Sequence, residues 1–555
     1  MNNRLPVATS HKKEYWLSRR DRDNTPEYQV LVRNEFATEP PDARGIDRRS
    51  FLGIMGASMA LAGLTSCRRP EDHIVPYVSR PEDITPGNSL HYATSMPLGT
   101  ESEALLVETR EGRPFKIMGN ALASPIGSSA SVWAHASILG LYDPDRSMHA
   151  LRTGEASTVG AFAEFWKTRR EEFVKNAGEG LVLMTESFAS PTLSRLLELF
   201  VATFPKAMVV THEAVSDRAI LDGHALAFGT PMLARYDYSA VDVLFALDAD
   251  VFGTERGAFE HARAFTRGRA VDEDAKRMNR FYLAESSLTQ SAAMADHRLR
   301  VAASRIPAVL AALARELAAT GVMLPGDLLG RLPAPKDVDA AWIAAVAKDL
   351  AAHRGRSLLV AGRGQHASVH AVVAVLNHAL GNTGSTVRYV APRYTRFADD
   401  SSLPALMTAL KESKVQMLLM LGGNPVFTMP ADLEFRTALE SAGSSVHCSL
   451  AVDETSAACT WHLPRRHYLE SWGDVSFADG RLGVIQPLIA PLFDDGVADV
   501  QLLSLLCTGT LDKDGDIVRA TWKALSDDAW RSLLHDGSRM EEIAPVAPVP
   551  NSAAV

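Results

Sequence analysis

The sequence predicts an α/β protein in which a small β-rich portion precedes two doubly wound α/β units in tandem. Three observations support this class. Short apolar runs alternate with helical stretches from residue 161 onward, which is typical of buried parallel strands joined by crossover helices. The same alternation returns after two alanine-rich helical stretches, so we expect a second unit. Two short strand-like runs around a turn precede the first unit and indicate a hairpin sheet.

The predicted elements follow in chain order. The hairpin has strands over 104–108 and 115–117. The first unit has helices over 161–175 and 191–204, and strands over 181–184, 208–210, 243–247 and 281–283. The second unit has helices over 306–320, 338–353 and 368–380, and strands over 357–361 and 417–421.

Composition excludes several classes of protein. The chain has 555 residues, 46% of them hydrophobic, and a formal charge of -9, which is typical of a globular protein with several domains. An acidic chain lacks the basic face that nucleic acid requires, so we expect no nucleic-acid partner. Its four cysteines form no Cys-x-x-Cys pair, which argues against a disulfide scaffold, a haem attachment site or an iron-sulfur cluster within this chain.

The N-terminal part contains the features of a twin-arginine export signal. Arg48 and Arg49 are followed by Phe51 and Leu52, and residues 51–66 carry no charge and are rich in glycine, alanine and serine. This run is too short to span a membrane. Such a signal would export the protein already folded. The alternative is a surface arginine pair followed by a buried helix.

Cys67 ends a lipobox-like sequence, Leu64-Thr65-Ser66-Cys67, where a signal peptidase would cut and the cysteine would receive lipid. A cysteine of the protein core is the alternative. Together the two motifs predict a lipid-anchored protein at the periplasmic face of the bacterial inner membrane. Loss of residues 1–66 would leave a more acidic chain, suited to basic partners such as many cytochromes c.

These features divide the chain into six predicted segments. They are a cytoplasmic extension with the export signal (1–66), a β-rich portion (67–155), a first α/β unit (156–305), a second α/β unit (306–465), a closing segment (466–543) and a disordered tail (544–555). The tail is assigned from its proline and alanine content.

Two glycine-containing loops follow the predicted strands that end at residues 361 and 421. Their candidate ligand-binding residues are Gly362, Gly364, Gly422, Gly423 and Asn424. Open α/β sheets bind nucleotides or pterin phosphates at such strand ends through backbone N–H groups. Neither loop is a dinucleotide fingerprint or a P-loop, and a tight turn that needs a positive φ accounts for the glycines without any ligand.

The sequence predicts no metal site and no catalytic residue. His366 and His370 are spaced to share one helical face, but no third ligand follows at metal-ligand spacing. Ten residues separate Cys448 from Cys459, which is no cluster spacing, so we expect buried packing cysteines. No Gly-x-Ser-x-Gly motif is present.

Several motifs within residues 90–490 resemble those of the molybdopterin oxidoreductases, in the same order. They are Gly112 to Asn120, Leu141 to Arg146, Gly362 to Gly364 with Leu376 to Gly384, Gly422 to Pro425, and His462 to Asp474. With its long extension, export signal and lipobox, the chain resembles the large molybdopterin-oxidoreductase-like subunit of alternative complex III, a bacterial quinol:electron acceptor oxidoreductase. The resemblance implies a molybdopterin-oxidoreductase-like fold.

The chain departs from the catalytic members of that family. Their opening strands usually carry three cysteines for a [4Fe-4S] cluster and a fourth beyond the Gly-Asn turn, whereas residues 91–106 and 127–131 contain none. No cysteine stands where a molybdenum ligand would be expected. The resemblance therefore implies a fold that has lost its cofactor sites, in a chain without a cofactor of its own. The two glycine-containing loops would then be vestigial cofactor loops, which we expect to be closed by side chains; the alternative is that they still hold a vestigial ligand.

The resemblance implies a non-catalytic scaffold subunit. Its partners would be an iron-sulfur ferredoxin-like subunit, a multihaem cytochrome c and integral membrane quinol-binding subunits, so the iron-sulfur clusters and haem c would belong to those partners. Two alternatives stay open. One is a molybdopterin oxidoreductase without a cluster, in which an oxygen ligand holds molybdenum. The other is an unrelated lipoprotein that binds a small ligand or assembles other proteins.

Overall fold

A computed structural model describes residues 87–123, 129–270, 278–541 and 544–550, together with Thr25, Pro26, Tyr28 and Thr85. The chain divides into two compact units, Met1–Glu82 and Asp83–Val555. All elements named below belong to the second unit. The predicted signal and lipidation residues lie outside the described residues; they are Arg48, Arg49, Phe51, Leu52 and Cys67.

The second unit consists of strands and helices that alternate over most of its length. The strands are β1 (Leu90–Leu98), β2 (Glu101–Arg110), β3 (Arg113–Gly119), β4 (Ala150–Arg152), β5 (Glu155–Ser157), β6 (Leu181–Thr185), β7 (Phe188–Ala189), β8 (Met208–Thr211), β9 (Leu233–Tyr236), β10 (Val243–Leu247), β11 (Arg280–Glu285), β12 (His297–Arg300), β13 (Ser357–Ala361), β14 (Val387–Val390), β15 (Thr395–Arg396), β16 (Met417–Leu421), β17 (Ser445–Ser449), β18 (Trp461–Pro464), β19 (Gly473–Ser476), β20 (Arg481–Ile485) and β21 (Ser538–Met540). The helices are α1 (Val132–Leu141), α2 (Val159–Lys175), α3 (Pro191–Thr203), α4 (Arg218–Phe228), α5 (Ala258–Arg267), α6 (Gln290–Met294), α7 (Ile306–Ala319), α8 (Leu328–Arg331), α9 (Ala340–Ala352), α10 (Ala367–Ala379), α11 (Leu403–Lys411), α12 (Pro425–Thr428), α13 (Phe435–Leu439), α14 (Glu454–Ala458), α15 (Asp499–Thr508), α16 (Asp514–Thr521) and α17 (Asp527–Asp536).

Two sheets contain the parallel strands. The larger has the order β5-β4-β18-β17-β16-β6-β8, in which the five strands from β18 to β8 are parallel. The smaller has the order β12-β11-β10-β13 and is parallel throughout. The central strands are buried along their whole length, because helices cover both faces, and this explains their continuous apolar runs.

One α/β unit is inserted into the other. Strands β6 and β8 of the larger sheet precede the smaller sheet in the chain, whereas β16, β17 and β18 follow it. The predicted tandem order is therefore wrong, since residues 305 and 306 lie between two strands of one sheet, β12 and β13. The alternation of apolar runs identifies strands but carries no information about which strands pair.

Each sheet has its own hydrophobic core. Helices α7, α9 and α10 pack in the core around the smaller sheet. Helices α2, α3, α15 and α16 cover one face of the larger sheet, and α11 and α13 cover the other. The predicted β-rich portion is an antiparallel sheet of order β1-β2-β3, and its small core includes buried residues of α1.

The C-terminal part folds back onto the rest of the unit. Strands β19, β20 and β21 form an antiparallel sheet. The predicted disorder from residue 544 is wrong for Val546, whose N–H donates to the carbonyl of Tyr389 at 2.8 Å. A composition rich in proline and alanine still leaves N–H groups free to pair at a sheet edge. Among the described residues, no helix has the length and apolar character needed to cross a bilayer.

Candidate functional site

The two predicted glycine loops lie at the carboxyl edges of different sheets. The loop after β13 is at an edge strand of the smaller sheet, and the loop after β16 is at a central strand of the larger one. The carboxyl edge of a parallel sheet is where open α/β folds bind ligands. The side chains that surround each loop therefore decide whether a ligand could bind there.

The loop after β16 has a left-handed backbone. Gly422 and Gly423 have φ of 71° and 68°, as predicted for a tight turn. A Cβ atom on Gly422 would overlap the carboxylate of Glu186 and lie 2.6 Å from Nη1 of Arg465. Gly422 is therefore required both by the backbone conformation and by the two side chains that occupy the space beside it.

Arg465 connects this loop to the start of α15. Its Nε and Nη2 donate to the two carboxylate oxygens of Asp499 at 2.8 and 2.6 Å, and its Nη1 donates to Glu186 at 3.0 Å. Burial opposes the charge of the guanidinium, but Asp499 and Glu186 outweigh it and raise the pKa of Arg465. The strand end is thus covered by a cation held between two carboxylates.

The side chain of Asn424 is also engaged within the chain. Its Nδ2 donates to Glu454 at 2.6 Å, and its Oδ1 accepts from the hydroxyl of Thr455 at 2.7 Å. Both partners lie in the short helix α14. Asn424 therefore links the loop after β16 to helix α14, which follows the neighbouring strand β17.

A chain of hydrogen bonds supports the same loop. Nε2 of His447 lies 2.9 Å from the carbonyl of Gly423, which can only accept, so Nε2 carries a proton. Nδ1 of His447 lies 2.8 Å from the hydroxyl of Ser456 and 3.3 Å from the carboxylate of Asp453. The hydroxyl of Ser456 also lies 2.9 Å from Nδ1 of His462, whose Nε2 lies 2.6 Å from the hydroxyl of Ser147.

This histidine pair was not identified as a unit from the sequence. Burial, with a smaller contribution from His447, lowers the pKa of His462 to about 4, so the ring stays neutral at ordinary pH. The sequence shows only that histidines crowd the last third of the chain. Ser147 lies 315 residues from His462, so no local spacing could reveal the contact.

The loop after β13 is built differently. Neither Gly362 nor Gly364 has a positive φ, so the predicted positive-φ turn is wrong for this loop. A Cβ atom on Gly362 would overlap the backbone carbonyl of Asp248, which follows the neighbouring strand β10. The close approach of two backbones explains Gly362. Gly364 has open space around its Cα.

A cluster of five charged side chains lies beside the loop after β13. Arg256 and Arg363 lie 3.6 to 3.7 Å from the carboxylates of Glu101 and Asp217, and Arg363 also lies 3.7 Å from Glu255. These distances are too long for hydrogen bonds. Burial raises the pKa of Glu255 to about 7, although Arg363 opposes the rise. These side chains attract one another electrostatically, but they form no direct side-chain hydrogen bonds between the arginines and the carboxylates.

A cavity of about 530 Å³ adjoins this cluster. Five buried polar atoms of its lining residues have no hydrogen-bond partner within the described part of the chain. They are Oδ1 of Asp217, Nε of Arg235, Nε of Arg256, Nδ1 of His261 and Nε2 of His370. An unpaired buried polar group costs about 1–3 kcal/mol, so the cavity is suited to water or a polar ligand.

The described residues contain no group of three or more His, Cys, Asp or Glu side chains that could hold a metal ion. Cys448 and Cys507 are buried and Cys459 is partly buried, in agreement with the packing role predicted for Cys448 and Cys459. Burial raises the pKa of the Cys459 and Cys507 thiols to about 12, and that of Cys448 further. Burial therefore favours the neutral thiol at each of these cysteines.

No family model matches the chain. The sequence is 24% identical over 505 residues to a protein of Nitratidesulfovibrio vulgaris named as the molybdopterin-binding-like subunit of menaquinone reductase. The alignment covers 83% of this chain and 72% of that protein. Acetylene hydratase from Pelobacter acetylenicus has a similar structure, with a TM-score of 0.64 and 11% identity over 81% of this chain and 74% of that one.

These comparisons confirm the predicted fold class. The chain is a mixed α/β protein with the fold of a member of the molybdopterin oxidoreductase family. The relative in N. vulgaris is itself named as a molybdopterin-binding-like subunit, which supports the interpretation of this chain as a molybdopterin-oxidoreductase-like subunit.

Proposed function

We propose that this chain is a non-catalytic scaffold subunit of a periplasm-facing quinol:electron acceptor oxidoreductase of the alternative complex III type. The observation that carries the proposal is the occupation of the strand-end loop at Gly422 by the chain's own Glu186 and Arg465. A pterin phosphate at this strand end would need backbone N–H groups that face open space. An ion-pair network takes that space here.

The residues at this edge do not fit a molybdenum cofactor. Asn424 is committed to Glu454 and Thr455, and Arg465 is committed to two carboxylates. Of the three described cysteines, Cys448 and Cys507 are buried in one hydrophobic core of the larger sheet and Cys459 packs against the other, so none of them faces this loop as a free ligand.

The relative supports the respiratory part of the proposal, because it is named as one subunit of a menaquinone reductase. By analogy, the chain would hold an iron-sulfur ferredoxin-like subunit, a multihaem cytochrome c and integral membrane quinol-binding subunits. Export through Arg48 and Arg49 and a lipid on Cys67 would place it at the periplasmic face of the inner membrane. Clusters and haems would then belong to the partners.

The cavity beside the loop after β13 favours a second candidate function. Its five buried polar atoms without a hydrogen bond indicate space for a bound polar molecule, which would agree with a cluster-free molybdopterin oxidoreductase whose metal has an oxygen ligand. The cavity and the closed loop lie at different sheet edges, so the two functions can be tested separately.

Elemental analysis and spectroscopy of the purified chain test the proposal. We expect no stoichiometric iron or molybdenum, no visible absorption band and no paramagnetic signal, while a strain lacking the chain loses quinol oxidation and regains it with the wild-type gene. Molybdenum near one atom per chain would overturn the proposal, and so would undiminished quinol oxidation in the deletion strain.

Native mass spectrometry separates the two candidates. The mass of the polypeptide and its lipid alone supports the scaffold. An added mass that disappears in Arg256→Ala, but not in the matched surface variant Arg531→Ala, supports a ligand in the cavity. Arg256 lines the cavity, whereas Arg531 is exposed on α17.

A further inference from the structure

Helix α1 presents a largely apolar face to solvent, with one exposed histidine, His135, one turn before Leu139. The residues from Ser131 to Tyr142 include no Asp, Glu, Lys or Arg. Val132, Trp133 and Leu139 expose 67%, 65% and 73% of their surface. Val132 and Leu139 are seven residues apart, so they lie on one face of the helix, with Trp133 beside them. Single exposed apolar side chains are ordinary, but a contiguous exposed face indicates an interaction site.

The rest of the helix is firmly attached to the protein. Ala134 and Leu141 are completely buried in the core of the N-terminal sheet. The Ser131 side chain caps the helix by accepting from the N–H of Ala134 at 3.0 Å, and the Ser131 N–H donates to Glu103 at 2.8 Å. The exposed face is therefore held in place by its own helix and is not the loose end of an element.

The charges that follow the helix indicate which partner fits. Asp143 and Asp145 are exposed just beyond the carboxyl end of α1, and neither forms an ion pair within the described residues. Carboxylates at this end of a helix are unfavourable, because the helix dipole places partial negative charge there. Arg113 stacks over the ring of Tyr142 at 4.5 Å but pairs with neither carboxylate. Cations from outside the chain would complement both charges.

This charge pattern distinguishes between the possible occupants. A membrane surface is anionic and attracts apolar helices flanked by Lys and Arg, so it would repel Asp143 and Asp145. A second copy of a chain with a formal charge of -9 would be opposed by charge repulsion. A protein whose apolar patch is bordered by basic side chains satisfies both the apolar face and the carboxylates.

We propose that the exposed face of α1, with Trp133 at its edge as the anchor, is the docking surface for a protein partner with an apolar pocket bordered by Lys or Arg. This inference rests on the proposed role as a subunit of a complex. Tryptophan is among the residues that most often dominate interface energy, because it fills a pocket with a large rigid ring.

Site-specific photo-crosslinking in the native membrane tests the docking surface. The full chain would carry a photoreactive amino acid in place of Leu139 or, as a matched control, in place of Leu288, which is 80% exposed but flanked by serine and threonine. We expect the probe at position 139 to cross-link another polypeptide at a segment with apolar and basic residues, and the probe at position 288 not to reach that segment.

Co-purification gives an independent measurement. Trp133→Ser with Leu139→Asp should reduce the recovered partner at least about tenfold, as expected for loss of a hot spot, whereas Leu288→Asp should change it less than about twofold. Asp143→Asn with Asp145→Asn should make recovery less sensitive to salt. Unchanged thermal unfolding of each variant establishes that the fold is intact.

The outcomes separate this inference from the proposed function. Cross-links from position 139 to lipid, to a second copy or to residues 1–86 of the same chain would overturn the docking surface, as would full recovery with the double variant. If other subunits co-purify but do not contact α1, the scaffold role stands and this inference falls. If the wild-type chain recovers no other subunit, the proposed function itself fails.

Discussion

Replacement of Gly422 by alanine tests whether the chain's own charges close the strand-end loop. A residue with a side chain at a φ of 71° costs about 1–2 kcal/mol. The new methyl group would also displace Glu186 from Arg465. The two side chains of that ion pair are 28% and 38% exposed, so its loss adds only about 1 kcal/mol. We therefore expect Gly422→Ala to lower the free energy of unfolding by about 2–3 kcal/mol.

Two other glycines provide matched controls. Gly384 has a φ of 88° and no atom within 4 Å of an added Cβ, so Gly384→Ala measures the backbone cost of about 1–2 kcal/mol alone. Gly364 has neither a positive φ nor a neighbour within 4 Å, so Gly364→Ala should be neutral or stabilise slightly. The difference between the unfolding free energies lost in Gly422→Ala and in Gly384→Ala then measures the contribution of the ion pair between Glu186 and Arg465.

Urea unfolding followed by tryptophan fluorescence measures these changes in the purified chain, which has eight tryptophans. Glu186→Ala should lower the free energy of unfolding less in the Gly422→Ala background than in the wild-type chain, because Gly422→Ala has already broken the contact between Glu186 and Arg465. The reasoning is refuted if Gly422→Ala unfolds at the same urea concentration as Gly384→Ala, or if Glu186→Ala costs the same in both backgrounds.

Three further outcomes are expected. Acid should destabilise the fold, because burial lowers the pKa of four histidines to about 4, below the ordinary value of 6.5 that applies when unfolded. The four are His224, His370, His462 and His467. Below pH 6.5 each of these histidines binds more protons in the unfolded chain than in the folded one, so its contribution to the free energy of unfolding falls by about 3 kcal/mol as the pH drops to 4; a urea midpoint independent of pH would contradict this. Arg146→Ala should cost about 3–5 kcal/mol, since it leaves the buried Glu470 carboxylate without its cation, and Arg146→Met with Glu470→Leu should cost less in the same urea assay. Arg48→Lys with Arg49→Lys should retain the chain in the cytoplasm, as cell fractionation would show, whereas normal export would exclude the twin-arginine interpretation.

The sequence by itself determined the identity of most of the buried parallel strands. The predicted strands over 243–247, 357–361 and 417–421 coincide with β10, β13 and β16. Each is a short apolar run between polar or glycine-containing stretches, and burial on both faces demands such a composition. Strand β17 was not predicted, because its buried sequence Ser-Val-His-Cys-Ser is largely polar and depends on partners elsewhere in the fold.

The candidate site was only partly predictable. The glycines at the two strand ends were identified, since a strand followed by glycine is a local pattern. The side chains that surround them were not, because Glu186 and Arg465 are 279 residues apart and meet only when their strands join one sheet. The role of Gly362 likewise depends on Asp248, which belongs to a different crossover.

The sequence alone therefore determined the α/β class, the positions of the strand ends and the lack of cysteine spacing for a cluster. Only the tertiary structure decided that one unit is inserted into the other, that Arg465 covers one strand end, and that α1 exposes an apolar face. The physical reason is the difference in sequence separation between the interacting residues. Periodicity and turn chemistry act over a few neighbouring residues, whereas strand order, ion pairing and exposure depend on which distant segments meet.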